Sequence, residues 1–299
     1  MSPPSQNANA ELKERVRSFW QEHPCGTKFS DAETGTREFF ERVEAHRYGK
    51  EWHIPIAADF ARAGGLKVLE IGCGLGTDGA QFAQAGADYT GVDLTEASIE
   101  LARKRFELFG LKGEFRVADA ENLDFADESF DLVYSHGVLH HTPDTGAAVR
   151  EVHRVLKPGG RAMVMLYHRG SYNYRIGIRI LRRAGAGLLK SEGGMRLVHS
   201  LTGEPIDSLR EHAQLNQANG DSAAGDFLSQ STDGAGNPLA RVYSRREAQE
   251  LFKDFRQVEL RAYFLNKRFI PLIGNLLPRS IESALAARWG WHLWIYATK

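Results

Sequence analysis

Cysteine is nearly missing: the 299-residue chain has two, Cys25 and Cys73, far apart and without the paired spacing of a metal motif. That excludes a disulfide framework and a cysteine-built zinc site, and it points to a reducing, cytoplasmic setting. An excess of either charge is missing too. Lys plus Arg total 38 and Asp plus Glu total 38, with a sequence pI of 7.2, so no net field draws in a polyanion and no nucleic-acid partner is expected. No run reaches the roughly 18 apolar residues of a membrane span. The opening MSPPSQNANAELKERVRSFW has no apolar signal-peptide centre, and a soluble chain is expected. Internal repeats are also lacking.

What is present is an alternation of short apolar runs with helical patterns, the mark of a parallel sheet. KVLEI (67–71), DYTGVD ending at Asp93, GEFRVAD, FDLVYS and RAMVMLYH read as strands one to five, and RQVELRAYFL and WHLWIYATK as strands six and seven. Helices are expected over 77–85, 95–109 and 145–156, with a short helical piece at HGVLHH. LKPGG reads as a helix stop followed by a turn. The prediction is an α/β fold with a Rossmann-like, seven-stranded, mostly parallel sheet and helices on both faces. Residues 1–62 read as an N-terminal helical cap, 63–170 as the binding core, 171–240 as an inserted lid after strand five, and 241–299 as a helix and strands that complete the sheet.

The sharpest constellation is Glu70-Ile71-Gly72-Cys73-Gly74-Leu75-Gly76, where strand one hands over to a helix. Glycines there let the backbone turn tightly and approach a ligand, beside the N–H groups of a helix N-terminus. Glycine spacing alone also suits a dinucleotide. Two features favour an adenosyl sulfonium: the acid Glu70 precedes the glycines, and Thr77 stands where the dinucleotide pattern has its third glycine. Asp93, ending strand two, suits the ribose hydroxyls of either ligand. Asp119, followed by Ala120, is placed to accept from an adenine amino group.

In these stretches the chain resembles the class I S-adenosylmethionine-dependent methyltransferases, above all the branch with the ubiquinone and menaquinone biosynthesis enzymes. The resemblance runs from about Lys67 to Tyr167, through VLEIGCGLGTD, GVDLT, ADAENLDFADESFDLVYSHGVLHH and LKPGG. It implies S-adenosylmethionine as cofactor, with Glu70, Gly72 and Gly74 around the methionine part, Asp93 on the ribose and Leu94 on the adenine face. Asp119 and Ala120 would flank the adenine, and the Ser135 and His136 backbone would lie near the sulfur. Tyr48 of the cap is a candidate for the methionine carboxylate.

Methyl transfer is an in-line displacement that asks mainly for positioning. A hydroxyl or acidic carbon acceptor also needs a base, and His136 and His168 are the candidates. In a helical segment His136 and His140 would share a face. The VLHH stretch resembles a family pattern that carries no metal, so no metal site is assigned to His136, His140 and His141. The implied partner is a small, hydrophobic or amphipathic acceptor, methylated on oxygen first, with carbon or nitrogen behind. A regulator or assembly protein that binds the same cofactor without transferring the methyl is the alternative.

Arg175, Arg179, Arg182 and Arg183 lie among isoleucines, and FIPLIGNLLP is apolar. Both suit a lid over an apolar pocket, with peripheral contact to anionic lipid as the second reading. The cluster FWQEHPCGT carries no assigned chemistry, and nothing in the sequence sets an oligomeric state.

Overall fold

The computed structural model describes residues 6–182, 187–202, 236–266 and 277–299, with single residues and short pieces between 205 and 233. Arg183 and most of FIPLIGNLLP lie outside the described residues. The chain forms two compact units, one of Met1–Leu166, Arg246–Leu260 and Trp294–Lys299, the other of Tyr167–Arg245 and Arg261–Leu293.

Before the sheet come three helices, α1 (Gln6–Glu22), α2 (Arg37–Lys50) and α3 (Ile54–Ala58). Helix α2 starts at Thr36, whose side chain accepts from the Phe39 N–H, and it has Glu38 in its first turn and Arg47 and Lys50 in its last, the charge order its dipole favours. Its apolar face buries Phe39, Phe40 and Val43 against Leu75 of the glycine turn. That contact is what brings the last turn of α2 to the site.

The sheet consists of β1 (Lys67–Ile71), β2 (Asp88–Asp93), β3 (Glu114–Val117), β4 (Phe130–His136), β5 (Leu156–Tyr167), β6 (Gln257–Tyr263) and β7 (His292–Thr298). Its order is β3-β2-β1-β4-β5-β7-β6. The pairs β1–β2, β1–β4, β2–β3 and β4–β5 are parallel. Strand β7 runs antiparallel to its neighbours: Lys299 exchanges backbone bonds with Gly159 and Gly160, and Arg256 N–H donates to Thr298. The sheet is therefore the expected seven-stranded, mostly parallel one, and order reverses between β1 and β4, where an open α/β sheet leaves its ligand crevice. Helices α4 (Thr77–Gln84), α5 (Glu96–Phe109) and α6 (Thr145–Val155) link the parallel strands.

Two local expectations are corrected. LKPGG is no simple turn, because Leu156 pairs with Phe130 and the next pairing is Arg161 with Leu132, so Lys157–Gly160 bulge within a continuous β5. HGVLHH is helical over its last three residues alone. His136 ends β4, Gly137 takes a φ of 79°, and only Leu139–His141 forms a 3-10 turn, so His136 and His140 share no helical face.

In the second unit the described part of the expected lid holds a ten-residue π-helix, Asn173–Arg182, and α7 (Glu192–Thr202). Along the chain, helix α8 (Arg245–Leu251), almost all of it in the first unit, precedes β6, and α9 (Arg279–Trp289), in the second, follows it. No helix among the described residues is long and apolar enough to cross a membrane.

Replacing Thr36 by Ala removes the cap that starts α2, and a loss of about 1 kcal/mol in chemical denaturation is expected.

Candidate active site

The turn after β1 is held open by backbone geometry. Gly72, Gly74 and Gly76 have φ of 77°, 51° and 69°, the left-handed region where a side chain is strained. A Cβ on Gly72 would also lie 2.2 Å from the Val138 side chain, so no other residue fits there. The Gly72 and Cys73 N–H groups both donate to the Val92 carbonyl, at 2.7 and 2.9 Å, which pins the turn to the end of β2. Cys73 is buried in the turn, and burial, then the nearby Asp93 and Glu70 charges, push its thiol well above the usual range.

Asp93 closes the same corner. Its Oδ2 accepts from Gly74 N–H at 3.1 Å, and its Oδ1 accepts from Thr95 N–H and Oγ1–H at 3.0 and 2.9 Å. Burial raises the Asp93 pKa while these bonds oppose the rise. Leu94 follows, half-buried. Ala118 N–H donates to the Asp93 carbonyl at 2.8 Å, tying the loop after β3 to the same corner. In that loop Asp119 Oδ1 accepts from Glu121 N–H at 2.9 Å, and Ala120 is buried beside it. Ser135, near the end of β4, donates to the Ile71 carbonyl at 2.9 Å. Gly72, Gly74, Asp93, Leu94, Asp119, Ala120 and Ser135 thus gather where β1, β2, β3 and β4 end.

Glu70 lies deeper than expected. It is 4% exposed, and its Oε2 accepts from Tyr89 Oη at 2.5 Å. Burial first, and then the charge of Asp78, push its pKa well above the usual carboxylate value. A Cβ on Gly79 of α4 would lie 2.2 Å from Tyr89 Oη, so this helix packs directly over the pair.

The structure adds a cluster that the sequence did not announce. Asp78, in the first turn of α4 and 2% exposed, accepts four hydrogen bonds. Arg47 reaches it through Nε and a terminal nitrogen at 3.0 and 2.5 Å, Tyr48 Oη at 2.9 Å and Tyr134 Oη at 2.8 Å. Burial alone would raise the Asp78 pKa, yet Arg47 and the two tyrosines hold it below the usual carboxylate value. Tyr48 therefore donates to Asp78, and any part it takes in holding a methionine carboxylate runs through this cluster.

The same guanidinium lies 3.2 Å from Nδ1 of His136. Guanidinium nitrogens only donate, so Nδ1 is the accepting atom and the neutral ring carries its proton on Nε2. Trp294 packs 5.3 Å from this ring. His168 belongs to the second unit and is the opposite tautomer. Its Nδ1 lies 3.0 Å from the Gly290 carbonyl, which only accepts, so Nδ1 carries the proton and Nε2 is the basic nitrogen, over Gly170. Burial lowers the His168 pKa below the ordinary histidine value, with the Gly290 bond opposing and Arg245 and Arg175 adding to the shift.

Two measurements test the buried cluster. Asp78→Ala strands the Arg47 charge and is expected to cost about 3–5 kcal/mol in chemical denaturation. His53, at the start of α3, is pushed down to about 3 by burial and then by the Arg47 charge. Between about pH 6.5 and about pH 3 the unfolded chain binds a proton there that the folded chain refuses, so stability falls as pH drops through this window. Melting temperatures recorded from pH 7 to pH 4 are expected to fall less steeply in His53→Gln than in the parent chain.

A family model described as a methyltransferase domain matches residues 69–164. A phthiotriol/phenolphthiotriol dimycocerosates methyltransferase of Mycobacterium tuberculosis is 46% identical over 99 residues, which cover 32% of this chain and 36% of that one. Methyltransferase GfsG of Streptomyces halstedii is 40% identical over 103 residues, covering 33% of this chain and 37% of its own. The chain thus spans little more than a third of the length of these two relatives. A ubiquinone biosynthesis O-methyltransferase of Pseudomonas aeruginosa is 31% identical over 180 residues, covering 52% of this chain and 75% of that one. Among solved structures, a protein of Pyrococcus horikoshii superposes with a TM-score of 0.50 at 17% identity, covering 94% of this chain and 98% of the other, a likeness of fold alone. The glycine turn and the acids that end β2 and follow β3 all fall inside the matched region, and the chain belongs to the class I S-adenosylmethionine-dependent methyltransferases.

Proposed function

We propose that this protein transfers a methyl group from S-adenosylmethionine to an oxygen of a small, hydrophobic or amphipathic acceptor in the cytoplasm. The observation that carries the reading is the corner where Asp93 bonds the Gly74 N–H, next to a Gly72 whose Cβ space is already taken. Such a corner lets a ligand lie against bare backbone with a carboxylate beside it, which fits a nucleoside bearing an amino-acid tail. When bound, the sulfonium supplies an activated methyl group.

The chain's own residues then have separable tasks. Gly72 and Gly74 give the methionine part its backbone surface, with Glu70 beneath them. Asp93 takes the ribose hydroxyls and Leu94 covers the adenine, flanked by Asp119 and Ala120. Ser135 and the His136 backbone border the reacting sulfur. A hydroxyl acceptor must lose its proton. Of the two histidines, His168 has its basic nitrogen on Nε2, whereas His136 would first have to give up its bond with Arg47. The relative from Pseudomonas aeruginosa is an O-methyltransferase by name, which supports oxygen as the acceptor atom. Acceptor choice is assigned to the cap, residues 1–62, and to the segment 171–240. The competing reading, a binder without transfer, predicts cofactor affinity and no product.

Calorimetry with S-adenosylhomocysteine is expected to show binding that Asp93→Ala weakens by at least about tenfold, since it removes a charge-assisted partner of the ribose. Unchanged affinity would remove Asp93 from the site. Incubation of cell extract with the protein and methyl-labelled donor, read by mass spectrometry, is expected to yield a singly labelled small molecule. Binding with no labelled product would leave the non-catalytic reading standing.

A further inference from the structure

Helix α1 meets the loops that follow β2, β3 and β4. Gln21 Oε1 accepts from Ala97 N–H at 3.3 Å, and Trp20 packs edge-on against His141 with ring centres 5.7 Å apart. About two turns earlier on α1 is a charged contact that the proposed reaction does not use. Lys13 Nζ is 2.5 Å from Asp119 Oδ2 and 2.7 Å from Glu121 Oε2.

The chemistry of that contact conflicts with the task assigned to Asp119. An ammonium bond to a carboxylate is charge-assisted and stronger than one from a neutral amino group. Asp119 Oδ1 accepts from Glu121 N–H and the lysine stands at Oδ2, so an adenine amino group at this carboxylate competes with a charged donor that already holds it. Burial disfavours the charge on Lys13, yet the bonds to Asp119 and Glu121 keep its pKa above the ordinary lysine value. Glu121 offers a second seat. Its other oxygen accepts from Asp144 N–H at 2.7 Å, which holds the carboxylate in place whether or not Asp119 is engaged.

We propose that Lys13 is an autoinhibitory latch: it competes with the cofactor for the carboxylate that receives the adenine amino group, and cofactor binding moves the ammonium wholly onto Glu121. The inference rests on the placement of adenine at Asp119. Helix α1 need not leave the core for this exchange, because both seats lie within reach of one flexible side chain. Salt weakens the latch, as it weakens any partly exposed pair.

A double-mutant cycle on the full chain tests it, with S-adenosylhomocysteine binding read by calorimetry and folding checked by melting temperature. Lys13→Met is expected to bind about three- to fivefold more tightly than the parent, the range of a partly exposed ion pair. Glu121→Gln removes the second seat and is expected to weaken binding by a similar factor. In the double variant the Glu121 effect is expected to vanish, since no ammonium needs reseating. Weaker binding in Lys13→Met would overturn the latch and make Lys13 a clamp on the bound nucleoside. A Glu121→Gln effect that persists without Lys13 would overturn it as well. If the parent chain binds and Asp119→Asn leaves its affinity unchanged, the latch falls while the cofactor reading stands. If the parent chain ignores the ligand at millimolar concentration, both fall.

Discussion

A carboxylate taken out of water has to find donors, and the four that converge on Asp78 set the geometry of the region around it. Two come from Arg47, one from Tyr48 and one from Tyr134. They join the last turn of α2, the first turn of α4 and the middle of β4, three elements far apart in sequence. Because α4 follows directly from the glycine turn, a shift in this pairing would shift the turn. The helix end contributes too, since an acid in the first turn lies at the positive end of the α4 dipole.

The pairing also sorts protons among neighbouring groups. Glu70 and Asp78 are both buried and repel each other, but only Asp78 bonds a guanidinium, so its pKa is held below the usual carboxylate value while that of Glu70 is pushed above it. Arg47 extends the same logic to His136, whose tautomer follows from the guanidinium's lack of any acceptor. Two histidines that look equivalent in sequence are therefore chemically different, one presenting N–H at Nε2 and the other a lone pair there.

Much of the fold is legible in the sequence, because buried parallel strands are continuous apolar runs and the helices between them carry readable signals such as Thr95, which caps α5. The glycine turn is legible for the same reason: only glycine tolerates those backbone angles. What escaped was non-local. Arg47 and Asp78 are 31 residues apart, and RYGKEWH and GTDG each read locally as ordinary helix composition. The bulge at Lys157–Gly160 escaped because Pro and Gly signal a break whether the chain leaves the sheet or loops within a strand. HGVLHH is helical only in part. Its spacing suited a helix, but Gly137 turns the chain away from β4 and leaves room for a single tight turn.

Cys73 sits at the centre of the glycine turn, buried, with Sγ next to Gly91 and the Asp93 and Glu70 carboxyl groups nearby. Thiol reactivity belongs to the thiolate, and here both low polarity and neighbouring negative charge suppress that form. The turn therefore keeps a small, soft side chain for packing without the liability to alkylation and peroxide damage that an exposed cysteine would bring. An enzyme that handles electrophilic methyl donors is in this way guarded against modifying itself.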